Sequence, residues 1–399
     1  MAGKRELFLK HVAQTSNLSM MLEVSHAEGM YITDVRGKKY LDFNSGISVS
    51  SLGHRNPDVV TAIKKQTDLY MHTMVYGEHI QAPQVYYAQL LTSVIDSSLN
   101  SIYFLNSGSE AVELAIKLGR KYTGRHEVMA CRNAYHGSTL GAESLRSDLD
   151  FTSALAPTIP GIRHIDFNDF GQIEKINEHI AALIIEPVQA ESGVNPPAPG
   201  YLDALRAKCD ETGTLLIFDE IQTGFSRTGS LFAYQKYGVL PDVLLIAKSM
   251  GGGMPIGAVV TGRQIMQSIA NKPSLAHITT FGGHPVCVAA SLAALQYHLN
   301  HDIAYGVDKK AEILKKKLKH PIIKEIRNSG LMMAVELTKK KYLKHVVSRA
   351  IENGVLVDYF LFNDRSFRLA PPLILEEKHI DEGTTKLIEA MNFALQVYS

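Results

Sequence analysis

Along the middle of the chain, short apolar runs of strand length alternate with segments whose apolar positions recur at helical spacing. Ser101-Ile102-Tyr103-Phe104-Leu105 predicts a strand. Ser109 to Tyr122 predicts a helix, with Ala111, Leu114, Ala115 and Leu118 at i, i+3, i+4 and i+7. Ala181 to Val188, Thr214 to Phe218, Val243 to Ala247 and Ala258 to Thr261 are further short apolar runs bounded by turn residues. Strands that bracket helices in this way predict βαβ units and an α/β fold, with a mostly parallel central sheet flanked by helices. The two ends are patterned differently. Gly29 to Asp34 followed by Gly37 to Leu41 resembles a small antiparallel hairpin, and from about Asp302 amphipathic helices mix with short strands such as Leu331 to Leu337. The expected organisation is an N-terminal segment, 1–45, joining a small domain; a large α/β domain, 46–290; and a C-terminal α+β part, 291–399. The smaller domain is thus expected to be assembled from both termini.

Two of the predicted strands stop abruptly on an ionisable residue. TLLIFDEIQTGFSRTG ends its apolar run at Asp219, and DVLLIAKSMGGG ends its run at Lys248. In an open α/β sheet, ligands bind just outside the carboxyl ends of parallel strands, so these two strands would deliver a carboxylate and an amine to one crevice. An amine there can form a Schiff base with a carbonyl cofactor, and a carboxylate can hold a pyridinium nitrogen protonated. Pyridoxal phosphate requires that pairing. A surface lysine ending a strand and an aspartate capping a strand-to-helix junction are the plain alternatives. Asn106-Ser107-Gly108-Ser109 lies between a strand and a helix, where unpaired N–H groups and the positive end of the helix dipole suit a phosphate. An ordinary N-cap turn through Ser107 or Ser109 accounts for the same residues.

Composition adds exclusions to this picture. A chain of 399 residues, 45% hydrophobic, is long enough for a large core and favours two or three domains. A net charge of +1 gives no electrostatic reason to expect nucleic acid or an acidic membrane as partner. Cys131, Cys209 and Cys287 are odd in number, widely spaced and outside any CxxC pair, which suggests a reducing compartment and neither a disulfide framework nor a zinc site. No apolar run reaches the roughly 18 residues of a membrane span. The opening MAGKRELFLKHVAQTS has no apolar signal region, so cytoplasm is the expected location. HExxH, Walker A and GxSxG motifs are absent, and no metal is expected.

Eight motifs then occur in one order: DFNSGISVSSLGHRNP, NSGSEAVELAIKLGRKYTGR, NAYHGSTLGAESL, IIEPVQAESGV, LIFDEIQTGFSRTG, LLIAKSMGGGMPIGAV, TTFGGHPV and FRLAPPL. Through them nearly the full chain resembles the class III (ω-) aminotransferases of the fold-type-I pyridoxal-phosphate enzymes, and among these the acetylornithine and ornithine aminotransferase group. The resemblance implies that Lys248 is the Schiff-base lysine and Asp219 the pyridinium partner. A free lysine, with a pKa of about 10.4, is a poor nucleophile at neutral pH, so the site must favour the neutral amine. Gln222 is implied to reach the phenolic oxygen of the ring. Gly108 and Ser109, with Ser107, match the phosphate-binding turn, and Tyr135 matches the aromatic residue that stacks on the ring, with His136 beside it. Thr280 matches a threonine that reaches the phosphate of the neighbouring subunit, which implies a homodimer with composite sites.

Glu191 and Arg368 match a switch in which the glutamate neutralises the arginine while an ω-amine donor is bound. It then releases the arginine to take the carboxylate of a 2-oxo acid. The implied activity is transfer of the terminal amino group of an ornithine-like donor, such as ornithine or N-acetylornithine, to a 2-oxo acid, with 2-oxoglutarate the expected acceptor, in two half-reactions. Alternatives are an ω-amine or β-amino acid:pyruvate aminotransferase, or an aminomutase, racemase or decarboxylase of the same fold, against which the Glu191/Arg368 pair argues. Two positions depart from the pattern. Ser138 stands where most of these enzymes carry an arginine for a distal carboxylate, and serine cannot replace a bidentate cation. Ile47 stands where ornithine aminotransferase has a tyrosine. Arg132 and Arg146 are the nearby residues able to supply the missing charge.

Overall fold

A computed structural model describes residues 3–16 and 20–398. In chain order its strands are β1 (Val24–Glu28), β2 (Tyr31–Asp34), β3 (Lys39–Asp42), β4 (Ser101–Leu105), β5 (Glu127–Cys131), β6 (Ile162–Ile165), β7 (Ile180–Ile185), β8 (Leu215–Asp219), β9 (Val243–Ala247), β10 (Gly257–Thr261), β11 (Ile323–Ser329), β12 (Met332–Leu337), β13 (Val355–Leu356), β14 (Asp358–Tyr359) and β15 (Ser366–Leu369). The central sheet has the order β4-β10-β9-β8-β7-β5-β6. Its strands from β9 to β6 pair in parallel, and β10 runs antiparallel to both β9 and β4.

β7, β8, β9 and β10 are buried along their whole length because both faces of the sheet are covered, which explains why each reads as a continuous apolar run. Alternate residues serve opposite faces. Ile217, Val243 and Leu245 pack against Ala111, Leu114, Ala115 and Leu118 of the helix Gly108–Thr123. Leu216, Phe218, Leu244 and Ile246 pack on the other face with Tyr201 and Leu205 of the helix Tyr201–Thr212. The helix Gly108–Thr123 begins on Ser107, whose hydroxyl accepts the Glu110 N–H. It ends where Gly124 turns left-handed at φ 72° and its N–H reaches the Arg120 carbonyl.

The expected N-terminal hairpin forms as β2 and β3, held at its turn by the Asp34 carboxylate, which accepts the N–H groups of Arg36 and Lys38. β3 then pairs in parallel with β13, so the two ends of the chain share a sheet ordered β1-β2-β3-β13. A separate core unites Met30, Leu41 and Phe43 with Val335, Val355, Leu369 and Leu387, which gives the smaller α+β unit contributions from both termini. A third sheet, β11-β12-β15-β14, completes that unit. The helix Pro285–Asn300 carries the chain across, packing Ala290 and Ala294 against Leu52 and Val59. No helix of the described residues is long and apolar enough to cross a membrane.

One buried cation ties these parts together. The Arg227 guanidinium donates to the carbonyls of Leu331 (3.1 Å) and Pro371 (2.6 Å) and to the Ser51 hydroxyl (3.1 Å). Ser51 in turn bonds Ser249, the residue after Lys248, and Ser249 donates to the Ser48 carbonyl. The end of β9 is thereby fixed against both the N-terminal segment and the smaller unit.

Candidate active site

Asp219 and Lys248 leave the sheet at the same edge because β8 and β9 are parallel neighbours, with Asp219 level with Leu245. Lys248 follows directly on β9 with φ at 49°, a left-handed conformation that costs a non-glycine residue of order 1–3 kcal/mol and persists only where the surroundings impose it. The Ser249 bonds to Ser48 and Ser51 supply that constraint. Burial holds the Lys248 amine below its ordinary pKa, against the raising pull of Glu191 and Asp219, and so favours the neutral, nucleophilic form.

Asp219 is buried and accepts two hydrogen bonds, from His136 Nδ1 at 2.7 Å and from the Ile221 N–H at 3.0 Å. Burial works against a protonated His136 ring, but the hydrogen bond and charge of Asp219 outweigh it and raise the histidine pKa. Glu186 was not singled out from the sequence, yet it lines the same cavity, and burial pushes its pKa up to about 8. The signal for it was present: Glu186 ends the apolar run of β7 just as Asp219 and Lys248 end theirs.

A cavity of about 630 Å³ opens at this edge of the sheet. Lys248, Asp219 and Gln222 line its floor, and the turn Ser107-Gly108-Ser109 and the segment Tyr135-His136 line its sides. Gln222 lies in a run of turns after β8, not on a helix. The loop after Tyr135 folds onto the helix start, where Ser109 Oγ accepts the Thr139 N–H at 3.0 Å. Gly137, at φ 135°, permits this approach, since a Cβ there would overlap the Ser109 hydroxyl. The first N–H groups of the helix Gly108–Thr123 precede any intrahelical acceptor and open on the cavity beside Ser107 and Ser109, a donor set suited to a phosphate. A primary amine, a buried carboxylate and an anion cradle around one cavity fit the aldehyde, ring nitrogen and phosphate of pyridoxal phosphate.

Arg368, on β15, enters from the smaller unit. Its Nη2 donates to Glu191 Oε2 at 2.7 Å and to the Tyr359 carbonyl at 3.2 Å. Its buried Nε and Nη1 have no partner among the described residues. Glu191 also accepts from Gln222 Nε2 (3.5 Å) and the Leu361 N–H (3.3 Å), which places the pair beside the cavity floor. Thr280 is brought to no part of this cavity; it is exposed, and its carbonyl accepts from His72 Nε2 at 2.8 Å. Val49 lines the cavity two residues beyond Ile47. Ser138 lines it as well, with its hydroxyl 3.0 Å from that of Tyr135. Arg132 is half-exposed and pairs with Asp166 at 3.5 Å. Arg146 is buried and bonded to Glu143 and Asp148.

Residues 12–391 match the family Aminotransferase class-III. The acetylornithine aminotransferase of Caldanaerobacter subterraneus subsp. tengcongensis is 36% identical over 397 residues, covering 96% of this chain and 98% of its own. The putrescine aminotransferase of Pectobacterium atrosepticum is 36% identical over 361 residues, covering 86% of this chain and 76% of its own. Among solved structures, the ornithine aminotransferase of Toxoplasma gondii crystallized with oxidized glutathione, with PLP at partial occupancy in its active site, superposes with a TM-score of 0.88. It is 30% identical and covers 98% of this chain and 94% of its own. A family match from residue 12 to residue 391 leaves little of the molecule outside it, and the chain belongs to the class-III aminotransferases.

Proposed function

We propose that this protein transfers the terminal amino group of an ornithine-like ω-amino compound to a 2-oxo acid in two half-reactions. As a class-III aminotransferase it is a pyridoxal-phosphate-dependent enzyme. Bound, the cofactor supplies an aldehyde that takes up an amine and a ring that draws electrons from the substrate carbon. Lys248 Nζ would hold the aldehyde carbon and, once the donor amine has displaced it, carry a proton to and from the substrate carbon. Its lowered pKa supports that role. Asp219 would keep the ring nitrogen protonated, with His136 fixing the orientation of the carboxylate. Ser107, Gly108 and Ser109 would hold the phosphate, Gln222 the phenolic oxygen, and Tyr135 a face of the ring.

The observation that carries the reading is the Glu191–Arg368 pair, in which two buried guanidinium nitrogens have no acceptor among the described residues. With Glu191 in place the pair is neutral and tolerates an uncharged donor chain. With Glu191 withdrawn, Arg368 presents a fork that fits a carboxylate. Such alternation suits transfer between an amine and a 2-oxo acid better than an aminomutase or decarboxylase. We also propose a homodimer in which Thr280 reaches the phosphate of the neighbouring subunit. In support, Thr280 is exposed and sits among exposed apolar residues, Ile278 and Phe281. For the chain as a whole we propose the division 1–45, 46–290 and 291–399, supported by the separate cores on the central sheet and in the smaller unit.

The resemblance points to 2-oxoglutarate as acceptor. A second reading, an ω-amine or β-amino acid:pyruvate aminotransferase, is favoured by Ser138, which places a hydroxyl where a distal carboxylate would need a cation. A spectral titration of the cofactor-loaded protein tests the proposal. Loss of the visible absorbance band on adding ornithine, N-acetylornithine, 4-aminobutyrate, β-alanine or a diamine identifies the donor, and its return with a 2-oxo acid identifies the acceptor. No spectral change with any of them would refute it.

A further inference from the structure

We infer that Phe360 is a positioning residue: its ring keeps the Arg368 guanidinium aimed at the cavity during the half of the cycle in which Glu191 has withdrawn. The inference rests on the reading of Glu191 and Arg368 given above, and it names what holds the arginine once its carboxylate partner lets go. Topology brings the ring there. β14 pairs with β15, Asp358 opposite Arg368, so the residue after β14 falls beside the arginine side chain. The centre of the Phe360 ring lies 4.7 Å from the Arg368 guanidinium carbon. A cation over an aromatic face within about 6 Å is attracted by the electron-rich ring, and more strongly where water is excluded. Water is excluded here: Phe360 is 7% exposed and Arg368 2%. The ring's own place is fixed by packing with Val188 and Ala190, in the segment leading to Glu191, and with Met332 and Ala334 of β12.

The segment that follows β14 bonds both members of the pair, and only part of that bonding involves the Glu191 carboxylate. The Tyr359 carbonyl accepts Arg368 Nη2 at 3.2 Å, and the Leu361 N–H donates to Glu191 Oε2 at 3.3 Å. The Phe362 N–H donates to the main-chain carbonyl of Glu191 at 3.0 Å, and Asn363 Nδ2 to that of Ser192 at 3.2 Å. Rotation of the Glu191 side chain breaks the bonds from Leu361 and Arg368 but leaves these last two intact. The segment, and Phe360 with it, therefore stays in place while the carboxylate leaves. Of the contacts that hold Arg368 among the described residues, the Tyr359 carbonyl and the Phe360 ring then remain. The carbonyl fixes one nitrogen. The ring restrains the plane of the whole fork, which bidentate binding of a carboxylate needs. Without the ring, an incoming carboxylate must order the guanidinium as it binds. That weakens the acceptor side alone, because Glu191 holds the arginine while a donor is bound. A Phe360 that merely fills the core would favour neither side.

The test follows each half-reaction of the cofactor-loaded full-length protein separately, through the cofactor's visible absorbance. Donors are 1,4-diaminobutane, ornithine and N-acetylornithine, and acceptors are pyruvate and 2-oxoglutarate. Phe360→Leu and Phe360→Met keep apolar bulk and remove the ring, whereas Phe360→Tyr keeps the ring. In the Leu and Met variants the acceptor concentration giving half-maximal rate should rise about tenfold, the scale of ordering one free side chain. The limiting rate and the donor dependence should stay at their wild-type values, and Phe360→Tyr should restore the acceptor side. Isothermal titration with propionate and glutarate, which lack the 2-oxo group and do not react, should rank the proteins alike without turnover: wild type and Tyr tighter than Leu and Met. These readouts are concentration dependences, which an unfolded fraction does not shift. An unchanged acceptor dependence in the Leu and Met variants overturns the inference. So does an equal shift on both sides, or a Tyr variant no better than Leu, since each leaves Phe360 a packing residue only. Wild-type protein that responds to no donor and no acceptor overturns the aminotransferase reading, and the inference with it.

Discussion

His136 Nδ1 donates to Asp219 Oδ2 at 2.7 Å inside the protein, so the carboxylate assigned to the ring nitrogen of the cofactor is half of a buried pair that becomes ionic when the histidine is protonated, and the aspartate raises the histidine pKa. A histidine whose folded pKa is raised binds its proton more tightly folded than unfolded. Its stabilising contribution is therefore complete below the ordinary histidine pKa of about 6.5 and is lost as pH rises through the folded value. Cofactor-free protein should melt at progressively lower temperature as pH rises above 6.5, and His136→Asn should flatten that slope. Thermal melts from pH 5 to 9 on both proteins decide it. Equal slopes would mean that His136 is not charged in the folded state.

Lys248→Ala removes the only side chain proposed to carry protons at the substrate carbon. Positioned general acid–base groups contribute about 10²–10⁴-fold, so transfer should fall by at least about a hundredfold. Stability of the cofactor-free protein should not fall, because the variant also removes an amine whose protonated form is disfavoured by burial. Turnover assays and melts on the same preparation separate the two effects. Substantial residual transfer would assign the proton step to another group.

How much of this is legible in the sequence follows from what each residue touches. Asp219 and Lys248 are readable because a strand buried on both faces must be apolar throughout, so an ionisable residue ending the run lies at the sheet edge. Glu186 obeys the same logic after Ile185. The direction of β10 is not readable, since Gly257–Thr261 is equally apolar in either orientation and only its pairing with β4 and β9 sets it. Arg146 looks like a free cation in the sequence, although Glu143 and Asp148 lie three and two residues away. Local spacing allows the contacts, but the fold decides that both carboxylates turn inward on one guanidinium.

Arg227 shows the opposite case, a charge in a turn-rich motif that the fold buries completely. It forms no ion pair with a described residue, and its hydrogen bonds reach Ser45, Ser51, Leu331 and Pro371, which belong to segments far apart in the chain. Arg227→Met leaves two buried carbonyls without their donor and should lower stability by about 3 kcal/mol or more. Ser51→Ala removes two hydroxyl bonds, to Arg227 and to Ser249, but leaves both carbonyls their donor, and should cost about 1–2 kcal/mol. Denaturant titrations of both variants test the difference; similar losses would mean that the carbonyl contacts contribute little.

Glu191→Gln separates the two halves of the reaction. Arg368 is 2% exposed, and among the described residues Glu191 is the one carboxylate it pairs with. Glutamine keeps an oxygen for the Leu361 N–H but not the negative charge, so the guanidinium stays charged and uncompensated until a carboxylate occupies the site. A 2-oxo acid then no longer competes with a resident carboxylate, and its KM should fall or stay level. A diamine donor must instead settle beside an unneutralised cation, and its half-reaction should slow by about tenfold, the scale of a desolvated charge contact. Single half-reactions followed through the cofactor's visible absorbance read each side alone. Equal slowing of both would reduce Glu191 to a structural partner of Arg368, and selective slowing of the acceptor side would reverse the roles proposed for the pair.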